Sequence, residues 1–134
     1  MVHSIQVFRS KHEMFNDFDL TYLIRILLAE LHENRDQYPK LNHIKEACEN
    51  SLMHYSPGCI GMMTESLEED QTAREQMLKA LASSAQRLEK LGEIISADFI
   101  NKNWAVKGSR HLDSYNANRI QDALNRLTLL LSSS

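Results

Sequence analysis

Two stretches of the sequence come close to the His-Glu-x-x-His pattern of zinc hydrolases. They read HEMFN at residues 12–16 and HENRD at residues 32–36. The pattern works because histidines one helical turn apart share a zinc ion while the glutamate activates a water molecule. Here the fifth position is Asn16, a poor zinc ligand, or Asp36, which falls in a polar stretch where a helix should be ending. We therefore predict no metal site.

Other combinations of reactive residues are equally unpromising. His43 and His54 are eleven residues apart, about three turns of one helix, so roughly 16 Å separates them and they cannot share an ion. No grouping of Ser, Cys, His and Asp suggests a catalytic triad. We therefore expect a protein that is not an enzyme and has no catalytic residues and no cofactor. The alternative is a thiol sensor or enzyme at Cys59, because the dipole at the start of a helical turn lowers the pKa of a thiol and favours the thiolate.

The stretch NKNWAVKGSRH offers a different chemistry, because its tryptophan stands among cations and amides. Aromatic stacking combined with phosphate pairing is how proteins hold single-stranded nucleic acid. The net charge of -3 argues against a general nucleic-acid coat, so such binding would have to be local. The candidate anion-binding or nucleic-acid-binding residues are Lys102, Trp104, Lys107, Arg110 and His111.

The stretch HYSPGCIGMM at residues 54–63 is both glycine-containing and apolar, where connecting segments are usually polar. It is either a corner that seals a bundle or a surface left uncovered for a partner, and methionine suits adaptable contacts. Together with the tryptophan, which is typical of interface anchors, it supplies the candidate partner-binding residues. These are Cys59, Ile60, Met62, Met63 and Trp104.

Composition favours helices around one core. The 134 residues match one domain, 43% are hydrophobic and 25% charged, and four glycines with two prolines are too few for the many turns of an all-β fold. No apolar run approaches the roughly 20 residues that span a bilayer. Two cysteines are too few for a disulfide scaffold, and the first residues lack a long apolar stretch, so we expect a cytoplasmic protein without a membrane partner.

Hydrophobic periodicity predicts an all-α, single-domain bundle of about four to six helices over residues 1–134. The first helix is predicted to begin after an N-cap at Asp19, and Arg25 and Glu30 lie off its apolar face. Cys48 belongs to the apolar face of the second helix and is predicted to be buried. The predicted segments are an arm or short helix at 1–18, helices at 20–36, 39–55, 72–95 and 97–104, a last helix capped by Asp113 or Ser114, and a frayed tail at 132–134.

These features predict a non-enzymatic, protein-binding helical module of the regulator, adaptor or chaperone type. Its partner would be another protein or a second copy of itself in a homodimer through the third or last helix. A small nucleic-acid-binding regulator is the main alternative.

Overall fold

The described residues of the computed structural model are 2–104 and 112–133. They form five α-helices, three short 3₁₀ helices and two small two-stranded sheets. The α-helices are α1 (Asp17–Glu33), α2 (Asn42–Met53), α3 (Gln71–Glu89), α4 (Ala97–Asn103) and α5 (Ala117–Leu131). The strands are β1 (His3–Phe8), β2 (Lys11–Asn16), β3 (Ile94–Ile95) and β4 (Tyr115–Asn116), and the 3₁₀ helices are Arg35–Gln37, Pro39–Leu41 and Thr64–Leu67. The predicted helical fold is confirmed, but the all-α class is wrong.

The main departure from the all-α prediction lies at the N-terminus, where β1 and β2 form an antiparallel hairpin in place of the expected arm or short helix. Ile5 lies opposite Met14, and Val7 lies opposite His12. Side chains alternate across a strand, and in the first part of β1 the usual pattern is inverted, since Ser4 is buried while Ile5 is half exposed; Phe8, at the end of the strand, is buried as usual. The apolar spacing that suggested a helix was therefore a coincidence of inward and outward residues.

α1 begins three residues earlier than predicted. Its N-cap is Asn16, whose side-chain oxygen accepts from the backbone N–H groups of Phe18 at 2.8 Å and Asp19 at 3.3 Å. The helix lies at the centre of the fold and is buried around most of its circumference. Arg25 and Glu30, expected off the apolar face, are both buried.

The other helix boundaries also shift. Pro39 starts a 3₁₀ helix that precedes α2, and Tyr55 is half exposed beyond the end of α2. α3 ends at Glu89 rather than Ile95, because Gly92 has a φ of +81° and the chain then pairs β3 with β4. The N-cap of α5 is Asn116, not Asp113 or Ser114. The prediction for 97–104 agrees with α4 to one residue.

The core lies where α1, α3 and α5 pack together, with α2 against α1 and the hairpin against α5. Cys48 is buried there, as predicted. A buried carboxylate also links these elements: Glu30 accepts from Arg87 of α3 at 2.7 Å and from the hydroxyl of Tyr38 at 2.7 Å. Burial and this carboxylate raise the pKa of Tyr38 to about 12, so the phenol stays protonated and donates to Glu30.

The hairpin turn is strained, and this gives the first prediction. Arg9 and Ser10 have φ values of 50° and 65°, a two-residue turn that normally takes Asn-Gly. Since the left-handed region costs an L-residue about 1–2 kcal/mol, Ser10→Gly should raise the free energy of unfolding by about 0.5–1 kcal/mol after the added flexibility of the unfolded chain is counted. Urea unfolding measures this.

Ser10→Ala is the matched control, because it removes the hydroxyl but keeps a Cβ at a positive φ. It should give no gain. Equal stabilisation by Gly and Ala would show that the hydroxyl, not the backbone conformation, limits stability at this turn.

Candidate functional site

The segment after α2 lies along the hairpin and alternates like a strand. Cys59 and Met63 are exposed, whereas Ile60 and Met62 are buried in the core. Of the predicted partner-binding residues in this segment, the structure therefore leaves only Cys59 and Met63 accessible. The segment is mainly a sealed corner whose apolar residues complete the core.

Two polar residues of β1 hold this segment through its backbone. The Gln6 amide donates to the Ile60 carbonyl at 2.7 Å and accepts from the Met62 N–H at 3.1 Å. The Ser4 hydroxyl accepts from the Ile60 N–H at 3.1 Å. These side chains supply the backbone hydrogen bonds that a neighbouring strand would otherwise supply to this segment. This explains why Ser4 and Gln6 point inward. Burying the Ser4 hydroxyl and the Gln6 amide without hydrogen-bond partners would cost free energy of folding.

The carboxylate of Asp17, at the start of α1, links the hairpin to the segment that follows α2. It accepts from the Ser4 hydroxyl at 2.6 Å, from the Tyr55 hydroxyl at 2.8 Å and from the Gly58 N–H at 2.9 Å. Burial alone would raise the pKa of Asp17, but the hydrogen bonds from Gly58, Ser4 and Tyr55 outweigh burial and hold this pKa below its ordinary value. We call these three donors and Asp17 the Asp17 clamp.

With its inner face occupied, the hairpin presents its outer face to solvent. Ile5 is 50% exposed, Met14 49% and Val7 37%, and the cross-strand register places them on one face with His3 and His12. We call Ile5, Val7 and Met14 the hairpin patch. No carboxylate belongs to this face among the strand residues, because Glu13 pairs with Gln6 on the opposite side.

Both edges of the hairpin are covered. Arg126 of α5 donates to the Met14 carbonyl and to the Glu13 carboxylate, and its guanidinium lies 4.8 Å from the centre of the Phe15 ring. On the other edge the Thr64 hydroxyl donates to the Val7 carbonyl at 2.7 Å. Covered edges resist pairing with foreign strands, so the face is the accessible feature of this hairpin.

The structure brings together only part of the predicted basic site. Trp104 is 5% exposed and packs edge-to-face against Phe99 with 5.6 Å between ring centres, so its indole face is not accessible to a base. Lys102 is exposed on α4, while Lys107, Arg110 and His111 lie outside the described residues. Nucleic-acid binding stays a prediction from the sequence.

One charged residue that sequence reasoning missed lies beside Trp104. Arg25 of α1 is 4% exposed and donates through Nη1 to the Trp104 carbonyl at 2.8 Å. Helical periodicity assigned Arg25 to the solvent side of α1, and nothing in the local sequence indicates otherwise. The carbonyl to which it donates belongs to Trp104, 79 positions away along the chain.

The histidines in the described part of the chain form no cluster that could hold a metal ion. His12 lies on the exposed face of β2, His32 is exposed near the end of α1, and Nε2 of His43 is 2.7 Å from the Ser66 hydroxyl. Within residues 2–104 and 112–133, no group of three or more His, Cys, Asp or Glu side chains is arranged to hold a metal ion.

Comparison of the chain with protein families, with curated proteins and with solved structures finds no match. None of the helices in the described ranges has the length and apolar character needed to cross a bilayer.

The two cysteines should differ sharply in reactivity. Burial raises the pKa of Cys48 to about 12, whereas Cys59 is exposed. Because the thiolate is the reactive form, native protein should react with a thiol reagent such as dithionitrobenzoate at one site, Cys59, and at a second only after unfolding. Cys59→Ser should remove the fast phase, and a fast phase that persists would show that Cys48 is accessible. Burial alone produces this difference, so it does not by itself indicate a thiol sensor.

The Asp17 clamp should make stability depend on acid pH. The folded-state pKa lies below the ordinary value of 3.8, so the ionised carboxylate stabilises the fold fully above about pH 5 and loses this contribution as the pH falls through the folded pKa. Asp17→Asn should cost about 2–3 kcal/mol at pH 7, since hydrogen bonds to a charged group are lost.

Urea unfolding of both proteins at pH 7 and pH 3 measures the effect. The difference between wild type and Asp17→Asn should narrow at pH 3. Tyr55→Phe, which removes one donor and leaves the charge, should cost less and should largely retain the wild-type pH dependence. An unchanged gap at pH 3 would contradict the role of the ionised carboxylate.

Proposed function

We propose that the protein is a non-enzymatic, protein-binding helical module of the regulator, adaptor or chaperone type, which contacts its partner through the hairpin patch. One observation carries the proposal: Ile5, Val7 and Met14 are exposed together on the outer face of a hairpin whose inner face and edges are already bonded. The proposed contact surface is therefore the hairpin and not the segment 57–63, because Ile60 and Met62 of that segment are core residues.

The inverted pattern of β1 is the physical reason for this choice. A strand on a protein surface normally places apolar residues inward and polar residues outward, whereas β1 buries Ser4 and Gln6 and exposes Ile5 and Val7. Clustered exposed apolar side chains on one element favour an interaction site over isolated surface residues. Since the clamp and Arg126 fix the hairpin beforehand, binding would lose little conformational entropy.

The surroundings of the patch indicate the chemistry of the partner. His3 and His12 are exposed on the same face, and the strand residues of this face include no carboxylate. An apolar partner surface with hydrogen-bond acceptors such as carboxylates at its rim would match this arrangement, because the apolar centre gains burial and the rim accepts hydrogen bonds from the imidazoles of His3 and His12. With both strand edges covered, the partner would lie on the face rather than add a strand to the edge.

The test replaces the patch without breaking the hairpin. Ile5→Lys combined with Met14→Glu places opposite charges at directly paired positions, so the strands should still attract each other. Binding of a partner captured from an extract of the source organism should be lost, and the circular dichroism spectrum and urea midpoint should stay close to wild type. Ile94→Lys, at a residue 60% exposed on β3, is the matched control and should retain binding.

Retention of every specific partner by the folded double variant would overturn the proposal. Analytical sedimentation of the same proteins measures their native mass and so distinguishes a second copy of this chain from a different protein as the partner. A homodimer through the patch would dissociate in the double variant but not in Ile94→Lys. If the double variant unfolds, Val7→Lys alone repeats the test at the third residue of the patch.

A further inference from the structure

An open groove lies between the turn of the hairpin and the C-terminal end of α5. Its volume is about 470 Å³, which is within the range of ligand-binding pockets. We call it the turn groove. It is lined by residues 10–13 of the hairpin on one side and by Arg126, Leu129, Leu130 and Ser133 on the other.

The α5 side of the turn groove offers an apolar contact. Leu129 is 71% exposed, as much as any large hydrophobic side chain that the structure describes, whereas Leu130 next to it is buried. A partner that covered Leu129 would remove apolar surface from water, which favours association. The core does not need Leu129, so this leucine is available to a ligand.

The hairpin side carries two cations. Lys11 lines the groove and is exposed. Arg9 lies at the same end, because its Nη1 donates to the carbonyl of Ser133, a lining residue, at 3.4 Å. Arg9 and Ser10 have φ values of 50° and 65°, and strained backbone of this kind is concentrated at ligand-binding sites and switches. The turn therefore holds Arg9 near Lys11 at a conformational cost.

The acidic residues on this side of the molecule do not cancel those two charges. Glu13 lies 2.5 Å and Asp122 lies 3.8 Å from the guanidinium of Arg126, so both carboxylates are paired with the same cation. Neither Arg9 nor Lys11 belongs to an ion pair between described residues. The turn groove thus has an apolar side and a positively charged end.

This arrangement matches an acidic peptide that also carries an apolar side chain. Because the groove is open, it suits a segment that continues beyond it better than a small molecule, which pockets normally enclose. Charge complementarity speeds the association and fixes the orientation of the ligand. We propose that the turn groove binds an acidic peptide segment of a partner protein, with an apolar side chain against Leu129 and carboxylates at Lys11 and Arg9. This proposal does not depend on the hairpin patch, whose residues do not line the groove.

Three fluorescently labelled peptides test the ligand chemistry by anisotropy at low salt, where screening is weak. EELFEE combines acidic and apolar side chains, EESSEE lacks the apolar pair, and KKLFKK reverses the charge. EELFEE should bind saturably, and the other two should bind at least about ten-fold more weakly. Absence of saturable binding by EELFEE, or equal binding by either comparison peptide, would overturn the proposal.

Two substitutions in the groove test its position. Lys11→Glu introduces repulsion and Leu129→Ser removes the apolar contact, so each should weaken the binding of EELFEE about ten-fold. Lys79→Glu on α3 and Ile94→Ser on β3 make the same kinds of change at exposed residues elsewhere and should bind like wild type. Circular dichroism checks that all four variants are folded. Equal binding by the groove variants and their controls would contradict the proposed site.

Amide chemical shifts of the wild-type protein separate the turn groove from other surfaces without any substitution. EELFEE should shift the amides of residues 10–13 and 126–133. Shifts confined to the outer face of the hairpin would place the peptide on the hairpin patch and overturn the groove. A native dimer that Lys11→Glu dissociates would make a second copy of this chain the occupant, and this result would also overturn the proposal.

Discussion

The Asp17 carboxylate is the interaction on which the N-terminal half of the fold depends. It stands at the first residue of α1, where the helix dipole favours a negative charge, and it accepts from Ser4 of the hairpin and from Tyr55 and Gly58 of the segment that follows α2. The hairpin, the start of α1 and the segment that follows α2 thus meet at one charged group. Ser4, which both donates to Asp17 and accepts from Ile60, extends the network into the buried face of β1.

This polar interior has a consequence for the surface. In a two-stranded hairpin each residue faces either the core or solvent, so the inward placement of Ser4 and Gln6 forces Ile5 and Val7 outward. The network that secures the corner therefore also creates the exposed apolar face. Arg126 completes the arrangement by fastening β2 to α5, so the face belongs to a supported element rather than to a mobile terminus.

α1 carries two buried charges that the structure treats differently. Glu30 is neutralised by Arg87 and helps to join α1 to α3, which is a structural role. Arg25 donates one hydrogen bond, to the carbonyl of Trp104 after α4, and its buried Nε has no hydrogen-bond partner in the described structure. Burying an N–H group without a hydrogen-bond partner costs stability.

The sequence alone determined the existence and approximate extent of the helices and the burial of Cys48, because helices depend on contacts three and four residues apart. It did not reveal the hairpin, since the partners that draw Ser4 and Gln6 inward lie 56 and 54 positions away. The same holds for Arg25, which donates to the carbonyl of Trp104 79 positions away, and for Ile60 and Met62, which the tertiary structure places in the core. Hydrogen bonds and burial between remote segments decide which side of an element faces solvent, and local periodicity carries no record of those partners.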